Sequence, residues 1–147
     1  RRGGLAMYGS AYVAKTIYDV ASGLSAVTSV VSDRIDRRFV PQSEAGFVTP
    51  FLVYRMSEPS VDDAAYGENV SSQTIRFEIA IYDDGPSVAN VIGAMEALHD
   101  ALHGLDTTVS GKGWQITCRR EQEIPDLDID FGLPFVRVGG IYVFDVG

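Results

Sequence analysis

Apolar and polar positions alternate with two different periods in the middle of the chain. In 74–81 every second side chain is apolar, as in a strand with one buried face, whereas in 88–102 apolar side chains recur at helical spacings of three and four. An acidic turn lies between these segments, where Asp84 or Ser87 can cap the helix. The apolar positions are Ile75, Phe77, Ile79 and Ile81 in the strand, and Val88, Val91, Ile92, Met95, Leu98 and Leu102 in the helix. The opposite face of the strand, which includes Ala80, is expected to meet water or a neighbour.

A second helical pattern covers 11–31, with Ser10 as the predicted N-cap and Gly23 as a predicted break. Its apolar positions are Val13, Ile17, Val20, Leu24 and Val27. Residues 1–10 are basic and rich in small side chains, so we predict a flexible arm before a single domain that spans 11–147.

The remaining patterns indicate extended structure. Residues 34–40 are extended and basic, 51–56 are rich in aromatic and β-branched side chains, and 57–73 is either a loop or the tip of a long hairpin. Turn residues at 111–113 precede an alternating strand.

The last strand, within 133–146, contains Gly139 and Gly140, which predict an interruption by a bulge or a tight turn. Helices and strands in this order predict an α+β fold, a mostly antiparallel β-sheet with two helices packed on one face.

Two acidic segments carry all of the net charge of −8. Segments 57–73 and 121–130 hold nine of the 20 acidic residues and no Lys or Arg, while the rest of the chain is nearly balanced. These acids are Glu58, Asp62, Asp63 and Glu68 in the first segment and Glu121, Glu123, Asp126, Asp128 and Asp130 in the second. Such a chain is poorly suited to hold nucleic acid through its phosphates. The segments either keep the protein soluble or form a surface that repels DNA or meets a basic partner.

Three arginines, Arg34, Arg37 and Arg38, form a basic cluster in this acidic chain. They predict either surface salt bridges within the subunit or a contact with an acidic segment of a neighbouring subunit.

Candidates for chemistry are few. His99 and His103 lie four residues apart on the predicted helix, which is zinc-peptidase spacing, but Asp100 replaces the usual Glu and no third ligand is evident. The acids of 126–130 lack the glycine and glutamate of a calcium loop. Cys118 alternates with apolar neighbours and is predicted to be buried. We therefore predict no enzyme, no metal and no cofactor.

The order of elements resembles the tail terminator proteins of long-tailed bacteriophages, also called minor tail or tail-completion proteins. The helix "AYVAKTIYDVASGLSAV" precedes an extended "DRI" and the strand "TPFLVYRMS". The unit "TIRFEIAIYDDGPSVANVIGAMEALHDALHG" and the aromatic strand "GGIYVFDV" follow, so the resemblance covers nearly all of 12–146.

The resemblance implies a virion protein that is assembled in the host cytoplasm and forms a ring, hexameric in the family, at the head-proximal end of the tail tube. The ring ends tube polymerisation, binds the tail tube protein and the head–tail connector, and lets DNA pass without specific binding; no membrane is involved. We expect an acidic loop with Glu58, Asp62, Asp63 and Glu68 to face the lumen or the tube. We expect Arg34, Arg37, Arg38, Asp126, Asp128 and Asp130 to lie at subunit or partner interfaces.

Three other functions stay open. The first is a different head–tail joining protein, such as a stopper or an adaptor. The second is a small metal-dependent hydrolase that uses His99 and His103, and the third is a ligand-binding domain with no role in assembly.

Overall fold

The computed structural model describes residues 8–37, 48–63, 72–85, 87–125, 127–128 and 135–147. The helices are α1 (Gly9–Gly23), α2 (Ser25–Val31) and α3 (Ile92–Leu102), and a 3-10 turn (Val88–Asn90) precedes α3. The strands are β1 (Ile35–Asp36), β2 (Phe51–Met56), β3 (Val61–Asp63), β4 (Ser72–Asp83), β5 (Asp106–Val109), β6 (Trp114–Glu123), β7 (Leu127–Asp128) and β8 (Phe135–Val146). The predicted α+β class with a mostly antiparallel sheet is confirmed.

Strands β4 and β8 form the centre of the sheet, where they pair antiparallel from Gln73 opposite Val146 to Asp83 opposite Val136. Each is flanked by a different strand at each of its ends: β3 and β2 along β4, and β6 and β7 along β8. The main path runs β1-β2-β4-β8-β6-β5, and β1 pairs with β2 in parallel. Because β3 pairs with the start of β4, segment 57–73 contains the arms of a hairpin, one of the two predicted alternatives.

The core lies between the helices and one face of the sheet. The predicted apolar face of β4 is fully buried and shares one cluster with side chains from all three helices. Helical members include Val13, Ile17 and Ala21 from α1, Val27 and Val31 from α2, and Leu98 and Leu102 from α3. The opposite face is not uniformly polar, because Ala80 and Tyr82 are buried there with Phe51 and Phe135. The expectation that Ala80 meets water or a neighbour is therefore wrong.

Three helix predictions are corrected. The break predicted near Gly23 is confirmed, since the pattern across 11–31 forms two helices separated at Leu24, and the described part of the chain therefore has three helices rather than the two expected. The first helix begins at Gly9, one residue before Ser10, and Ser10 is not its N-cap, since Tyr8 holds that position. Ile92, the first residue of α3, is 43% exposed, so it does not belong to the buried apolar stripe as predicted. Ser87, by contrast, accepts a hydrogen bond from the backbone of Ala89, as a cap should.

Gly139 and Gly140 do not interrupt β8, which runs unbroken through them. A Cβ at Gly139 would lie 2.6 Å from Cα of Ala80 and would also clash with the Ile79 carbonyl oxygen, and one at Gly140 would lie 2.7 Å from the Gln122 carbonyl oxygen. Gly139 and Gly140 therefore let the backbones of β4, β8 and β6 come close together. The predicted irregularity is in β6 instead, where the register shifts between residues 120 and 122.

Candidate assembly surface

Arg76 brings the two acidic segments together on the sheet face opposite the helices. Its Nη1 lies 3.1 Å from Oε1 of Glu58, and its Nη2 lies 3.0 Å from Oε2 of Glu121. Because the Nε of Arg76 also donates to Glu121, the pair is bidentate. The hydrogen bond between them raises the pKa of Arg76 and lowers the pKa of Glu121. A basic side chain of β4 thus neutralises one acid from each segment.

Glu78 holds two arginines on the same face. Its Oε1 accepts hydrogen bonds from Nη2 of Arg55 at 3.1 Å and from Nη1 of Arg137 at 3.2 Å. Arg137 also donates to the carbonyl oxygen of Pro125 and to the hydroxyl of Tyr82, whose ring lies beneath the guanidinium. All three charged side chains are mostly buried, with exposed fractions of 23%, 17% and 11% for Arg55, Glu78 and Arg137. Burial reduces screening, so salt should weaken these ion pairs less than the more exposed pairs of the same face.

Asp145 completes the arrangement. Its Oδ1 accepts a hydrogen bond from the hydroxyl of Thr74, and its Oδ2 lies 3.2 Å from Nη1 of Arg119. The ion pairs of this face are therefore Arg55–Glu78, Arg137–Glu78, Arg76–Glu58, Arg76–Glu121 and Arg119–Asp145. Four arginines meet four carboxylates, so these groups sum to zero charge. We call the surface they form the ion-paired face.

The predicted acidic loop is only partly within the described residues. Glu58 is paired with Arg76, as above, and Asp62 accepts a 2.6 Å hydrogen bond from Nε2 of Gln73. Gln73 is buried, and its Oε1 accepts a hydrogen bond from the backbone N–H of Gly9, so Asp62 is linked through Gln73 to the start of α1. The backbone of Asp63 pairs with β4, and Glu68 lies outside the described residues.

The predicted interface arginines differ in their surroundings. The Nε of Arg34 donates to the carbonyl oxygen of Pro50 at 2.8 Å, which ties the end of α2 to the start of β2. Arg37 is exposed, and its charge acts to lower the pKa of the buried Tyr54 hydroxyl, although burial has the larger effect and raises it. Arg38 lies outside the described residues. Arg37 is therefore the better candidate for contact with another molecule.

The acidic residues predicted for the same interfaces lie at the margin of what the structure describes. Asp128 pairs through its backbone with Phe135, while Asp126 and Asp130 lie outside the described residues. Their role at an interface stays a prediction.

Both imidazoles have partners within the subunit. Nδ1 of His99 lies 2.9 Å from the hydroxyl of Tyr142, and Nδ1 of His103 accepts a hydrogen bond from the backbone N–H of Arg120. Burial lowers the pKa of His99, and the charge of Arg120 acts in the same direction. The two rings stack at 5.1 Å, and His99 lines a cleft of about 440 Å³. The sequence did not indicate Tyr142 or Arg120 as partners, because both come from distant strands.

Cys118 is buried, as predicted, and burial raises the pKa of its thiol to about 12. Among the described residues, no three His, Cys, Asp or Glu side chains are placed to share a metal ion.

No protein-family model matches the chain, and no curated protein matches it at a significant level of sequence similarity. In the part of the chain that the structure describes, no helix has both the length and the apolar character needed to cross a bilayer. A functional proposal therefore depends on the ion-paired face and on the order of elements along the chain.

Proposed function

We propose that the chain is a structural subunit of a bacteriophage tail, a terminator that forms a ring on the head-proximal end of the tail tube. The order of elements supports this proposal. Helices α1 and α2, then β1 and β2, then β4 followed by α3, and finally β8 occupy the segments that carry the resemblance. In this arrangement the helices pack on one face of the sheet and leave the other face for contacts outside the subunit.

The ion-paired face carries the proposal. Its arginines are already hydrogen-bonded to carboxylates of the same chain, so they have little capacity left to neutralise phosphates. A conduit for DNA benefits from such a lining, because a surface that exchanged counterions with DNA would slow its passage. We propose that this face lines the lumen of the ring or contacts the tube. The proposed role is structural and requires no catalytic site.

The proposal can be tested directly by adding this protein to tail tube protein while the tube protein polymerises. Added protein should shorten the tubes, and a label on the added protein should appear at one end of each tube in negative-stain images. Labels along the tube walls, or tube lengths that do not change with the amount of protein added, would contradict it. Binding to the head connector with no effect on tubes would indicate a stopper or adaptor instead.

Charge reversal at the hairpin tests which surface is used. Asp62→Lys together with Asp63→Lys should impair tube capping or DNA passage. Asp62→Asn is the matched control, since its side-chain oxygen still accepts from Gln73 while the charge is lost. Full capping by the double lysine variant would remove the hairpin from the proposed surface.

A further inference from the structure

One edge of the sheet ends in β5, whose outer backbone groups point away from the sheet. Gln115 exchanges both backbone hydrogen bonds with Gly147, at 2.7 and 3.0 Å, so its N–H and C=O point away from β5. Thr108 lies opposite Gln115, and in such a pair neither residue directs its backbone groups toward the other. The N–H and C=O of Thr108, and of Asp106 two residues away, therefore point outward, and both residues are exposed.

On the opposite edge of the sheet, at the same level along the strands as β5, lies β3. A single row of paired residues crosses five strands from β3 to β5: Val61, Thr74, Asp145, Thr117 and Asp106. Val61 at one end of this row is 56% exposed, and Asp106 at the other end is exposed as well. Since each neighbouring pair in the band is antiparallel, β3 and β5 run in the same direction.

We infer that β5 of one copy of this chain pairs in parallel with β3 of the next copy, so that the five-stranded band continues from subunit to subunit. This inference rests on the proposed ring. The contact joins two different edges, and a heterologous contact of this kind generates a closed ring when its rotation closes. Each copy would add about 24 Å to the belt, five strands at about 4.8 Å each.

Charge favours β5 over a second β3 as the partner of β3. Two β3 strands side by side would bring Asp62 and Asp63 of each copy together, which is unfavourable. Asp62 lies on the core side of the sheet, like the buried Gln73 opposite it. On that side of β5 is a cleft of about 370 Å³ between α1 and the strand, and Lys15 is one of its lining residues. Because Lys15 is paired with Asp19 of the same cleft, a neighbour's Asp62 would meet a neutral ion pair there rather than a second acidic strand.

Disulfide trapping between two singly substituted preparations tests the contact. Val61→Cys and Asp106→Cys protein should give, when mixed and oxidised, at least tenfold more cross-linked dimer than either gives alone, since neighbouring strands bring Cα atoms within disulfide reach. Thr108→Cys in place of Asp106→Cys covers a register shift of two residues. The native Cys118 is buried, and its thiol pKa of about 12 keeps it out of the reaction. The inference would be overturned if either preparation alone gave as much cross-linked dimer as the mixture, or if the mixture gave no dimer between the two variants.

A proline at the edge gives an independent test. Thr108→Pro removes the outward N–H at a position where edge strands accept proline, and Thr108→Ala is the matched control that keeps it. Both variants should melt within a few degrees of the parent protein, and the proline variant should lose at least tenfold in assembly on tube ends. Equal assembly by the two variants would refute the edge contact. If both variants still cap tubes, the edge contact is refuted while the proposed function stands, so failure of the one is distinguishable from failure of the other.

Discussion

Gly139→Ala should destabilise the protein strongly, because β4 and β8 are too close at this point to admit a methyl group. The added Cβ would lie 2.6 Å from both Cα and Cβ of Ala80, distances that real contacts do not reach. The clash is with backbone atoms of the central strand pair, so no side-chain rotation relieves it. Inserting one carbon into a well-packed core costs about 1–3 kcal/mol, and we expect a value near the upper end.

Gly93→Ala is a matched control for this experiment. Gly93 lies in the first turn of α3, and a Cβ there meets nothing within 4 Å. Both substitutions reduce the conformational freedom of the unfolded chain in the same way, so the difference between them isolates the native-state clash. The control should gain up to about 1 kcal/mol of unfolding free energy.

Urea denaturation and thermal melts measure both variants. At about 2–4 °C per kcal/mol for a chain of this size, Gly139→Ala should melt about 6–12 °C below the parent. A change of the same sign and size in both variants would refute the account of why β8 carries glycine at this position.

Two further predictions concern the imidazoles and the arginines. Since burial lowers the pKa of His99 below its ordinary 6.5, the unfolded chain takes up this proton first as the pH falls, and the unfolding free energy should drop from about pH 6.5 downward. His99→Gln should lack this part of the pH dependence in urea titrations, and an unchanged profile would contradict the assignment. Arg34→Ala should cost about 1–2 kcal/mol through the lost bond to a backbone carbonyl, whereas Arg37→Ala should change stability by less than about 0.5 kcal/mol. The reverse order in melting experiments would show that Arg34 is not the structural member of the cluster.

Much of the fold was predictable because it follows from local periodicity. Alternation fixed the buried face of β4 and the strand that contains Cys118, and a spacing of three and four identified α3. The break in the first helix was predicted one residue early, since glycine weakens a helix without deciding which residue leaves it.

The errors came from contacts between distant segments. Gly139 looks like a strand interruption in isolation, but it is needed where β4 comes close. The acidic segments look like free negative charge, yet Glu58 and Glu121 meet at Arg76, and nothing in the spacing of these three residues reveals that they are neighbours. Pairing across a sheet depends on strand register, which the sequence alone does not give.

The neutral ion-paired face leaves the net charge of −8 on the rest of the subunit, so copies of the chain repel one another at long range. Salt screens that repulsion and has little effect on backbone hydrogen bonds between strands. If β3 and β5 form the contact, assembly should therefore strengthen as salt is raised. If contacts between the exposed Arg37 and an acidic segment dominate instead, salt should weaken assembly, because it screens the attraction that holds the copies together. Sedimentation of the protein at low and high salt separates these cases. Assemblies whose mass decreases as salt is raised would count against the edge contact.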